Sequence, residues 1–132
     1  MAHAQWVSLT ITSEGTTFSI KNADLKQGKF HETGNKDQQI SPGEINNITI
    51  ESGQSAVINS CGHSESQDGT EGSFDIFDGE VKVGEYYWYC PWGSNTNDSR
   101  WTQSHDHYLI EVSGVNLHSA ALGNISIRCV TR

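Results

Sequence analysis

Apolar and polar residues alternate with a period of two along most of the chain. Val7, Leu9 and Ile11 alternate with Ser8, Thr10 and Thr12, and Phe18 and Ile20 alternate with Thr17, Ser19 and Lys21. Ile48 and Ile50 repeat the spacing, and the short apolar group Ala56-Val57-Ile58 follows. Phe74 and Ile76, Val81 and Val83, then Tyr108, Ile110 and Val112, and finally Ile125, Ile127 and Cys129 carry it to the end. Successive side chains of a strand point to opposite faces, so these runs predict strands with one dry face and one wet face. No window sustains a 3.6-residue period over three turns.

Turn residues separate the runs. Asp78-Gly79 stands between Phe74–Phe77 and Glu80–Val83 and predicts a type I′ hairpin, in which both central residues need positive φ. Ser41-Pro42-Gly43-Glu44 and Glu51-Ser52-Gly53-Gln54 predict further turns. Many short strands with frequent turns predict an antiparallel sandwich or barrel. No repeat, linker or internal boundary divides residues 1–132, so one domain is expected.

One strand is unusual. Tyr86, Trp88 and Cys90 share one parity, and Tyr87 and Tyr89 take the other. Aromatic residues on both faces predict a central strand buried on both sides. Two segments do not read as strands: Ser60–Gly72, which is polar, acidic and glycine-bearing, and Pro91–Thr102, which is polar but holds two tryptophans. Long loops on a rigid β scaffold are where binding residues usually sit.

Composition narrows the partners. Eight Lys and Arg against sixteen Asp and Glu leave a net charge of −8. That balance argues against nucleic acid and against polybasic docking on anionic lipid. Four Trp, four Tyr and four Phe supply a core, so disorder is not expected. No run of about 20 apolar residues suggests a membrane-spanning helix. The opening Met1-Ala2-His3-Ala4-Gln5-Trp6 lacks the basic start and apolar stretch of a classical secretory signal. Cys61, Cys90 and Cys129 are an odd number, which argues against a disulfide framework and for buried reduced thiols.

Candidate chemistry is sparse. His105-Asp106-His107 would put two imidazoles on one face if it lay in a strand, with His63, Cys61 or Asp68 as possible further ligands. The spacing is common in solvated segments, and no metal is expected. His63 near Cys61 resembles a Cys-His pair but has no family signature around it. There is no nucleophile elbow, P-loop or dinucleotide fingerprint, so neither an enzyme nor a cofactor is expected. Asn47, Asn97 and Asn124 head glycosylation sequons that are expected to be unused. Trp92 lies between Pro91 and Gly93, hence on a loop. A loop tryptophan either folds back on the core or anchors at a membrane interface, where its apolar body and single N–H both find partners.

These residues carry a resemblance. Tyr87-Trp88-Tyr89-Cys90-Pro91-Trp92-Gly93-Ser94 resembles the most specific motif of the aegerolysin family. Ala4-Gln5-Trp6-Val7, Gly28-Lys29-Phe30, Gly34-Asn35-Lys36-Asp37, Asn59-Ser60-Cys61-Gly62, Gly72-Ser73-Phe74-Asp75 and Ser119-Ala120-Ala121-Leu122-Gly123 resemble its other signatures and cover nearly the whole chain. The resemblance implies a single-domain antiparallel β-sandwich of two packed sheets with little or no helix. It implies binding to sphingolipid membranes containing ceramide phosphoethanolamine, or sphingomyelin with sterol. It also implies a pore-forming partner with a membrane-attack-complex/perforin domain, and an extracellular or cell-surface location reached without a classical signal. The chain departs from the pattern at Gln27, where the family often has Trp, at Asn95, where Lys is usual, and at His63, where Arg is common.

A headgroup with one phosphate and one ammonium needs donors for the anion and an acceptor for the cation. Glu65, Asp68 and Glu71 supply negative charge on the Ser60–Gly72 loop. Asn95, Thr96 and loop N–H groups are suited to phosphate, because successive turn amides make an anion nest. Trp92 is the expected anchor, with Trp6 its neighbour. Trp92, Asp68, Glu65, Trp6, Asn95 and His63 are therefore the expected lipid-binding residues. An unperturbed imidazole titrates near about 6.5, so protonation of His63 would lower the loop's negative charge. The alternative is a soluble β-sandwich lectin whose exposed Trp stacks on sugar.

Overall fold

The computed structural model describes residues 5–63, 68–93, 96–118 and 120–131. Among the described residues there are eleven strands and one helical turn: β1 Trp6–Glu14, β2 Phe18–Gln27, β3 Lys29–Glu32, β4 Asn35–Ile40, α1 Pro42–Ile45, β5 Thr49–Ile50, β6 Ser55–Cys61, β7 Thr70–Asp78, β8 Val81–Cys90, β9 Asp98–Gln103, β10 Tyr108–Ser113 and β11 Gly123–Thr131. They form a six-stranded sheet in the order β10-β11-β1-β6-β3-β4 and a five-stranded sheet in the order β5-β2-β7-β8-β9. The expected β-sandwich is therefore present. Its pairings are antiparallel except one: β1 and β11 run parallel, with Val7 opposite Gly123 and Ile11 opposite Ile127.

The alternation seen in β1 becomes the core. Val7, Leu9 and Ile11 are buried, while the residues between them are half-buried. Ile58, Ile125, Ile127 and Cys129 join them from the same sheet, and Phe18, Ile20, Phe74, Ile76, Tyr86 and Trp88 face them from the other. Each fully buried large apolar side chain contributes about 1.5–3 kcal/mol relative to exposure. Phe30 of β3 lies 6.1 Å from Trp88 of β8, ring to ring, so aromatic packing ties the two sheets together.

Four sequence expectations are corrected. β8 is paired on both edges but buried on one face only; Tyr87 and Tyr89 stay half-exposed on the outside. There Arg100 lies 5.1 Å over the Tyr87 ring, and the phenol donates to Glu71 Oε2 at 2.5 Å. The hairpin loop is Gly79-Glu80, because Asp78 pairs with Val81. Only Gly79 has positive φ (59°), which fits the first position of a type II′ turn better than type I′. Asp78 instead accepts the Tyr108 hydroxyl at 2.7 Å. Ser41-Pro42-Gly43-Glu44 opens the single turn of α1: Ser41 Oγ accepts from the Glu44 N–H at 3.3 Å, and Pro42 stands where no N–H is needed. Finally, the segment Pro91–Thr102 contains most of β9, an edge strand paired to β8 with Tyr86 opposite Trp101.

Candidate functional site

Two sheets that end together create one loop face. Trp6, at the start of β1, pairs with Cys61, at the end of β6, and Lys29, at the start of β3, pairs with Cys61 on the other side. In the second sheet Thr70, at the start of β7, pairs with Cys90, at the end of β8. The described residues Gly62, His63, Asp68 and Gly69 and those at 91–93 therefore lie at the same end of the sandwich.

Glycine lets these segments touch. A Cβ on Gly69 would lie 1.9 Å from the Cys90 carbonyl oxygen, so only hydrogen fits between the two backbones. Gly28, at φ 85°, brings the β2–β3 corner onto the same spot; its Cβ would lie 2.6 Å from Cys61 O and 2.9 Å from Gly69 O. Beneath them runs a buried chain of hydrogen bonds. Trp88 Nε1–H donates to Thr70 Oγ1 (2.9 Å), the Thr70 hydroxyl lies 2.6 Å from Ser60 Oγ, and Ser60 donates to Lys29 O (2.8 Å). Since Ser60 gives its proton to the carbonyl, Thr70 must donate to Ser60, and the chain has one direction.

The Cys90 thiol closes the underside of the face. Its Sγ donates to Ala120 O at 3.2 Å. Burial pushes this thiol above its ordinary range, while the backbone N–H groups of Leu122 and Trp6 pull it back. Burial likewise raises the Cys61 thiol, and takes that of Cys129 from 9.0 to about 12. All three cysteines are free and buried, as expected.

Four of the six expected binding residues are described, and all lie at this end. Asp68 and His63 clamp their loop: the His63 N–H donates to Asp68 Oδ1 and His63 Nδ1–H donates to Asp68 Oδ2, each at 2.9 Å. The imidazole is about half exposed (49%) and the carboxylate 27%, so the pair forms a polar edge open to solvent. Trp92 is half-buried beside buried Pro91 and exposed Gly93. Trp6 is half-buried on the outer face of the six-stranded sheet, with the Lys36 ammonium 5.3 Å over its ring. Glu65 and Asn95 lie outside the described residues. Glu71 faces β8, where it accepts from Tyr87 rather than from the loop.

His105, Asp106 and His107 belong to the opposite end, in the turn between β9 and β10. They are not on a strand as the pattern required, yet their ligand atoms lie within 4.8 Å of one another. Asn97 is buried, and its Nδ2 donates to Asn116 O and Ala120 O, so it is a loop brace and not an exposed sequon. Two partners escaped the sequence reading. Lys36 was given no role beyond its place in a family-like segment, and Arg100 was hidden in a segment read as loop; it pairs with Asp98 at 2.7 Å and holds that carboxylate below its ordinary range.

With this geometry in hand, comparison with known proteins decides the lineage. The Aegerolysin family model matches residues 4–132. The chain belongs to the aegerolysin family. This aegerolysin is 38% identical over 128 residues to Asp-hemolysin of Aspergillus fumigatus, covering 96% of this chain and 92% of that one. It is 40% identical over 131 residues to Ostreolysin A6 of Pleurotus ostreatus, covering 96% and 95%. Among solved structures, the RahU protein in complex with a TRIS molecule superposes with a TM-score of 0.95 at 33% identity, covering 99% of this chain and 98% of that one. The protein is thus a cytolysin-related aegerolysin, and the resemblance drawn from its motifs is correct.

Proposed function

We propose that this aegerolysin is a non-enzymatic membrane-recognition module that binds sphingolipid headgroups through its loop face. The preferred surface is a membrane with ceramide phosphoethanolamine, or with sphingomyelin and sterol. The observation that supports the reading is the close approach of Gly69 to Cys90 and Pro91, which brings the segment of Trp92 and that of the His63–Asp68 edge to one end of the sandwich. The indole supplies interfacial anchoring and the acidic edge supplies attraction for a cationic outer group. Glu65 and Asn95, by their place in the sequence, complete the set with Trp6. Such headgroups are net neutral with an outward ammonium, so a net charge of −8 is compatible with them.

Among the described residues no helix is long and apolar enough to cross a bilayer. On the strength of the family resemblance, spanning is assigned to a partner with a membrane-attack-complex/perforin domain, and this protein acts peripherally from outside the target cell. A panel of vesicles carrying ceramide phosphoethanolamine, sphingomyelin with sterol, or phosphatidylserine tests the reading by cosedimentation and dye release. Binding to the first two without dye release by the protein alone is expected. Asp68→Ala should bind roughly tenfold or more weakly, in line with about 1–3 kcal/mol for a charged hydrogen bond. Undiminished binding by both Trp92→Ala and Asp68→Ala overturns the assignment.

A further inference from the structure

A second concavity lies on the flank of the six-stranded sheet. Its volume is about 580 Å³, within the range of small-ligand sites, and it is roofed by the β3–β4 hairpin. Its floor is a single cross-strand row. Asn124 of β11 is opposite Ser8 of β1, Ser8 is opposite Asn59 of β6, and Asn59 is opposite His31 of β3. Adjacent strands stand about 4.8 Å apart, so four polar side chains run in line for roughly 14 Å. His31 and Asn59 are buried (6% and 7% exposed) and held in place: His31 Nδ1–H donates to Glu32 O at 2.8 Å, and Asn59 Nδ2 donates to Thr33 Oγ1 at 3.0 Å.

We infer that this groove binds the ring of a neutral sugar. Ser8 and Asn124 offer a hydroxyl and an amide, which both donate and accept and so match ring hydroxyls, while the engaged His31 and Asn59 fix the row. Trp6 walls one end, and the Lys36 ammonium 5.3 Å over its ring adds a donor for ring hydroxyls. The rim carries one cation, Lys36, and one anion, Asp37, so no net field selects a phosphate. The groove shares Trp6 with the lipid reading, but Ser8 and Asn124 lie on strands away from the loop face, so variants at these two residues tell the two readings apart.

Saturation-transfer NMR and calorimetry on the full chain, with free glucose, galactose, mannose and N-acetylglucosamine at millimolar concentration, test it. Transfer to the ring protons of at least one of these sugars is expected. Ser8→Val and Asn124→Leu should each weaken that sugar by roughly three- to tenfold, the loss of one hydrogen bond. Asn124 is exposed, so Asn124→Leu should melt as the parent does. Both variants should keep parental binding to sphingolipid vesicles, which separates failure here from failure of the lipid reading. No transfer to any of the four sugars, or parental sugar affinity in both variants, overturns the inference.

Discussion

The close approach of Gly69 to Cys90 makes the loop face, and Gly69→Ala attacks it directly. The φ of Gly69 is not in the left-handed region, so alanine suffers no backbone strain there. The whole cost comes from contact. The new Cβ would sit 1.9 Å from Cys90 O and 2.9 Å from the carbonyl carbons of Cys90 and Pro91, where ordinary contact starts at 3.4 Å. The two backbones must part by about 1.5 Å, and both obstacles are backbone that cannot rotate away. Overpacking of this kind costs about 1–3 kcal/mol. At this chain length that corresponds to a fall in Tm of roughly 4–12 °C. Gly43→Ala is the control: its Cβ meets only Ser41 Oγ at 3.7 Å, and it lies in a helical turn where alanine is preferred. Thermal melts by circular dichroism should show the drop for Gly69→Ala and none for Gly43→Ala. Vesicle cosedimentation below the lower Tm should show weaker binding for Gly69→Ala alone. A Gly69→Ala protein with parental Tm and parental binding would refute the contact as the organiser of the site.

Three further predictions concern the interior. Thr70→Val leaves the buried Trp88 N–H without its acceptor and should lower stability by about 1–3 kcal/mol in urea titrations; Thr70→Ser, which keeps the hydroxyl, should recover most of it. The three buried thiols should resist a disulfide reagent in the native protein at neutral pH and all react in guanidinium. Stability should fall on the alkaline side: folding raises Cys129 from 9.0 to about 12, and Tyr86 and Tyr108 from 10.0 to about 12. The folded state thus holds protons that the unfolded chain releases, so stability is full below about 9 and declines as pH rises towards 12. A Tm independent of pH between 8 and 11 would contradict these assignments.

The strands readable in the sequence were those whose two faces meet different surroundings. β1 and β11 alternate because one face meets the core and the other meets solvent. β4, with the sequence NKDQQI, has no buried residue and lies at a sheet edge, so periodicity carries no trace of it. β9 is an edge strand of the same polar kind. β3 fails for the opposite reason, since Lys29, Phe30 and His31 are all buried and no alternation survives. Tyr87 and Tyr89 misled because aromatic rings can stay half-exposed on a sheet's outer face, as Tyr87 does beneath Arg100 with its hydroxyl on Glu71. At the loop face, Trp92 was read from its residue type and Asp68 from its place in an acidic loop that resembles the family's, whereas the Gly69–Cys90 approach depends on two sheets ending together, which no local pattern encodes. The polar row of the groove was hidden because Ser8, Asn59 and Asn124 are far apart in sequence and meet only through strand pairing.

The central claim is that the face bearing Trp92 meets the bilayer. Sphingomyelin–sterol and ceramide phosphoethanolamine vesicles with brominated acyl chains test it through tryptophan quenching. The account predicts quenching of the parent protein, most of which disappears in Trp92→Phe while Trp88, buried in the core, stays unquenched. Parental quenching in Trp92→Phe, or sedimentation with vesicles without any quenching, would contradict it.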